Sequence, residues 1–156
     1  MKNLKILALA MLMLCIPILS FGAGTCTQAN SIAGSNDSMR LITFTCIGDA
    51  SDGSFPATTL STDNATFVIG QYLILAVTKP GSPAPTAAWA ATVTTPSGMD
   101  VMGGTIAAQS ATLTKQIVPL VGAVYGPRPI DTSLTLNITG NSVNSAAITV
   151  ILYFVR

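Results

Sequence analysis

The side chains that could do acid–base or nucleophilic work are few. The chain has no histidine, and its only carboxylates are Asp37, Asp49, Asp52, Asp63, Asp100 and Asp131. Without histidine the usual general base and the commonest metal ligand are missing, so Ser-His-Asp and Cys-His mechanisms are excluded. A hydrolase built on two carboxylates needs them to face one another across a cleft. Nothing in the sequence places any two of the six on adjacent positions of one strand. The chemistry available is that of a protein with no catalytic residue, no metal and no cofactor.

Two constellations still deserve weighing. Asp49, Ser51 and Asp52 before Gly53 could offer oxygens to calcium, but a calcium loop alternates its ligands and ends on a bidentate acid. A solvated turn in which Asp caps backbone amides fits the spacing better. The candidate binding residues are Trp89, Tyr125 and Arg128, since an exposed ring stacks on the apolar face of a sugar or fills a pocket on a partner. Trp89 alternates in step with Ala91 and Val93, which favours the core for it. Tyr125 lies in a Gly/Pro segment, where solvent and core are evenly matched.

The first residues carry the layout of an export signal. Lys2 and Lys5 give a positive start, Ile6 to Leu19 form an apolar run, and Ser20-Phe21-Gly22 supplies small residues for cleavage. The run is short of the roughly 20 apolar residues that span a bilayer. Residues 1–22 are therefore expected to be a cleavable signal peptide, and the mature chain to be secreted, extracellular or periplasmic, without a membrane span.

Export meets an oxidising compartment, and Cys26 and Cys46 are the two cysteines that remain. They are expected to pair, closing a loop worth about 3 kcal/mol; the alternative is two free thiols with Cys46 packed in the core. Loss of Lys2 and Lys5 leaves Arg40, Lys79, Lys115, Arg128 and Arg156 against the six aspartates. Five dispersed cations cannot grip a phosphate backbone, so no nucleic-acid partner is expected. Charged residues make up 8 % of the chain, against about 25 % in an ordinary domain. A surface so poor in charge calls for neighbours over its sheet edges, which points to protein subunits of an assembly and a homo-oligomer.

The elements that must hold these residues read as strands. Residues 23–38 are rich in Gly, Ser, Asn, Thr and Gln and are expected to be a flexible arm. Met39 to Cys46 alternates Ile42, Phe44 and Cys46 with threonines, and Tyr72 to Thr78 is apolar on both faces. Trp89 to Thr94 should form a hairpin with Met99 to Met102 around Pro96 and Gly98, and Ala111 to Val118 offers another alternating run. Leu134 to Thr139 and Ala147 to Val155 form the strongest pair. With about seven or eight strands and no convincing helix, residues 39–156 are expected to fold as an all-β, two-sheet antiparallel β-sandwich, jelly-roll or Ig-like.

Several strings in the second half carry a resemblance. They are Val77-Thr78-Lys79-Pro80-Gly81-Ser82-Pro83-Ala84-Pro85-Thr86, Gly98-Met99-Asp100-Val101-Met102-Gly103-Gly104, Val118-Pro119 with Tyr125-Gly126-Pro127-Arg128-Pro129, and Leu134 to Ala146. Over residues 72–156 the chain resembles a group of small phage- or prophage-encoded proteins of virion structural type. That resemblance implies a structural component of an extracellular assembly. The second expectation is a secreted carbohydrate-binding or adhesive module that meets glycan through Lys79 to Pro85 and Val121 to Pro129.

Overall fold

The computed structural model describes residues 23–34 and 38–156. The expected signal peptide lies outside the described residues. Two antiparallel sheets face each other across one core, as the alternation demands. The elements in order are β1 (Thr25–Ala33), β2 (Met39–Ile47), β3 (Thr58–Thr59), α1 (Thr62–Val68), β4 (Tyr72–Pro80), β5 (Ala90–Thr94), β6 (Lys115–Ile117), β7 (Leu120–Val121), β8 (Val124–Tyr125), β9 (Arg128–Pro129), β10 (Thr135–Thr139) and β11 (Ala147–Val155). The larger sheet runs β1-β2-β11-β4-β6, with β9 also on β4; the smaller runs β3-β10-β5. Neither sheet closes into a barrel.

Alternation in β11 decides which side is inside. Ile148, Val150, Leu152 and Phe154 are fully buried, opposite Ile42, Phe44 and Cys46 of β2. On the other flank β4 turns Leu73 and Ala76 inward. These two are an odd number of residues apart, and a register shift between Tyr153 and Phe154 makes Ile74 the extra residue of a bulge that lets both face the core. The smaller sheet answers with Ala91, Val93, Leu136 and Ile138, and Trp89 lies between the layers.

Four expectations change. Within the arm expected at 23–38, Thr25–Ala33 form the strand β1, paired residue for residue with β2 from Thr25↔Ile47 to Ala33↔Met39. Two of its inward positions are polar, and partners offset their burial: Gln28 Nε2 donates to Thr59 O at 2.9 Å, and Gln28 Oε1 accepts from Ser61 N and Asn64 Nδ2. Asn30 Nδ2 donates to Asn64 Oδ1 at 2.7 Å. Those partners belong to the second departure, the helix α1, whose Ser61 side chain accepts from Asn64 N and whose Ala65 and Val68 are buried.

The third is the hairpin expected at Met99 to Met102. Only a single bridge, Thr94↔Asp100, forms there. The Asp100 carboxylate instead accepts from Val93 N, Met102 N and Gly104 N, which holds residues 100–104 in a turn. The fourth is Ala111 to Val118, which shortens to β6 because Ser110 Oγ accepts from Thr112 N and Leu113 N and bends the chain first.

Cys26 and Cys46 stand opposite each other in the β1–β2 register and form a disulfide. Replacing both by alanine should lower unfolding free energy by about 2–4 kcal/mol in urea titrations. Leu152→Ala, at the centre of the packed layer, should cost about 2–5 kcal/mol by the same measurement.

Candidate functional site

The sequence candidates do not converge on one place. Trp89 has 0 % exposure, and its indole N–H donates to Ser110 O at 3.1 Å. It is a packed core residue and offers no face for a ligand. Tyr125 is 68 % exposed in the β7–β8 hairpin, where Leu120↔Tyr125 and Val121↔Val124 pair. Arg128 starts β9 opposite Leu73, and its guanidinium meets Met99 Sδ at 2.9 Å.

Asp49, Asp52 and Asp100 are occupied with their own loops. Asp49 Oδ1 accepts from Ser51 N and from the Ser51 hydroxyl, and Asp52 Oδ1 accepts from Ser54 N at 2.8 Å. Gly53 follows with φ 73°, its Cα packed so closely that an added Cβ would meet Val143 O at 2.6 Å. This is a capped turn docked on the β10–β11 loop: Asn141 Nδ2 donates to Gly53 O, and Ser145 N donates to Asp49 O. Among the described residues no group of three potential ligands gathers as a metal site.

One cleft of about 390 Å³ opens beside the start of β4, lined by Ile69, Gly70, Gln71, Tyr72, Pro129, Ile130 and Asp131. Asp131 is its only acid. A reaction that divides acid and base between two carboxylates therefore has no second group there.

What the fold does gather is surface. The outward positions of the larger sheet stand in rows across the strands: Ser31, Leu41, Tyr153 and Leu75; then Ala29, Thr43, Ile151, Val77 and Gln116; then Thr27, Thr45, Thr149 and Lys79. Lys79 is the only charged side chain in these rows. The strands carry enough length for a footprint of roughly 500–600 Å², taking about 4.8 Å between strands and 3.3 Å per residue. A second apolar surface lies at the hairpin, where Val124 is 71 % exposed beside the half-exposed Val121.

The sequence signal for the sheet face was present in the period of the strands. Its continuity required knowing that β2, β11 and β4 are neighbours. No family model, no characterised protein and no solved structure matches the chain. The Cys26–Cys46 bond suits an oxidising compartment, and no helix among the described residues is long and apolar enough to cross a membrane.

The Ser51 hydroxyl, then its backbone N–H, holds the Asp49 carboxyl below its ordinary value. A lowered folded value means that the charged form stabilises the fold at neutral pH and that this contribution disappears as pH falls through the folded value. Asp49→Ala should thus melt at a lower temperature than the parent at pH 7, and the gap should narrow below about pH 4.

Proposed function

We propose that this chain is a non-catalytic structural or surface component of an extracellular assembly, of the kind from which virions are built. The observation that carries the reading is the outer face of the larger sheet, where only Lys79 is charged among the rows that cross β1, β2, β11 and β4. A broad sheet face that carries a single charge has little to keep a second molecule off it. A neighbour removes it from water, and two such faces together would cover about 1,100 Å², within reach of a specific interface.

The absence of histidine and the self-capped aspartates support the non-catalytic part. The resemblance of residues 72–156 to virion structural proteins points the same way. A second reading, adhesion to glycan, keeps one supporting observation, the exposed ring of Tyr125 on its hairpin. Trp89 no longer contributes to it.

Sedimentation velocity over a wide concentration range tests the first reading. The parent should form oligomers, and Ile151→Lys, which places a charge in the middle of the outer face, should reduce their size while leaving the circular dichroism unchanged. A parent that stays monomeric at about 100 µM, where even a micromolar contact is filled, overturns it. For the adhesive reading, a glycan array should show binding that Tyr125→Ala abolishes; an array without hits removes that alternative.

A further inference from the structure

The larger sheet ends on one side in β1, and that edge is unusual. It is nine residues long and contains neither a proline nor a charged side chain, and its one-to-one register with β2 has no bulge. Sheets normally blunt an open edge with at least one of these devices, because a free row of N–H and C=O groups templates another strand. The opposite side of the sheet is broken up by the short strands β6 and β9.

The hydrogen bonds reveal which groups of β1 point outward. Gly81 N donates to Ala147 O at 2.7 Å and Ala147 N to Pro83 O at 2.9 Å, so Ala147 turns its backbone toward β4. Gly48 N donates to Ala146 O at 2.8 Å, so the even-numbered residues at this end of β11 turn toward β2. Strict alternation along an antiparallel ladder then gives Cys46 to Ile148, and leaves Cys46 and Cys26 as a non-hydrogen-bonded pair. Their Cα separation of 3.9 Å belongs to that closer class rather than to the wider, bonded one near 5.5 Å. The backbone N–H and C=O of Cys26, Gln28, Asn30 and Ile32 therefore point off the sheet. No backbone group among the described residues meets them.

The same four residues point their side chains inward, and three of them tie the strand down. Cys26 is bonded to Cys46, Gln28 bridges Thr59, Ser61 and Asn64, and Asn30 reaches Asn64. The edge is ordered before anything binds it, which removes much of the entropy cost of strand addition.

We propose that β1 is a dimerisation edge, pairing antiparallel with β1 of a second copy around a two-fold axis at Ala29, so that two sheets become one. This rests on the assembly reading and names its partner. In that register Cys26 faces Ile32 of the second copy and Gln28 faces its Asn30, and these are the residues with free backbone groups, giving about eight N–H···O=C bonds. Ala29 meets Ala29 of the second copy, and Thr27 meets its Ser31, with no like charges opposed. The strand is self-complementary, as an isologous contact requires.

Five substitutions in the full chain test this by sedimentation and non-reducing electrophoresis. Ile32→Pro removes an outward N–H without touching the ladder to β2, and Ala29→Lys sets two lysines side by side on the axis. In the Ile151→Lys background, where the sheet face is disabled, the dimer should persist; adding either change should raise its dissociation constant about tenfold or more. Ala29→Cys should give a covalent dimer on mild oxidation, whereas Thr45→Cys, on the neighbouring strand, should not. Oligomers that form but fail to cross-link through position 29, or that tolerate Ala29→Lys with unchanged affinity, sink the edge pairing and leave the assembly reading standing. A strictly monomeric parent sinks both. Should Ile32→Pro fail to fold, the two changes at Ala29, on the solvent side of the strand, decide the matter.

Discussion

The register of β11 is the constraint on which the molecule depends. It lies between β2 and β4, and its alternate residues Ile148, Val150, Leu152 and Phe154 form the middle of the core. Each such side chain contributes roughly 1.5–3 kcal/mol on burial. A slip of one residue would turn all four to solvent and bring Thr149, Ile151 and Tyr153 inside. The bulge at Ile74 lets β4 follow this register along its whole length, and the smaller sheet, with Trp89, seats itself on the layer that results.

The parts legible in the sequence were those written in apolar alternation. β2, β5, β10 and β11 each place an apolar residue at every second position or run apolar throughout, and they appear close to where the pattern put them. β1 was hidden because its period is carried by Cys26, bonded to Cys46, and by Gln28 and Asn30, whose inward partners are hydrogen-bond groups on residues more than thirty positions away. α1 was hidden for a related reason: seven residues give barely two turns, too few to show a 3.6-residue period. Asp100 misled in the opposite direction, since its carboxylate gathers three amides and so converts a stretch with strand composition into a turn.

The candidate residues fared by the same logic. Trp89 followed its alternation into the core, and Tyr125 followed its Gly/Pro surroundings to the surface. Asp49, Asp52 and Asp100 proved to be local structural groups, as short Asp-Ser and Asp-Gly spacings favour. What the linear chain could not display was adjacency between distant strands, and it is adjacency that turns scattered Thr, Ala, Ile and Tyr side chains into one neutral plane.

The central place of β11 also sets a timetable for folding. Every other strand precedes it in the sequence, yet β2 and β4 are joined in the sheet only through it. During synthesis, the β1–β2 hairpin and β4 must wait as separate, incompletely covered pieces. The sandwich then closes in one late, non-local event, a slow kind of topology that leaves the nascent polypeptide open and threadable until residues 147–155 arrive.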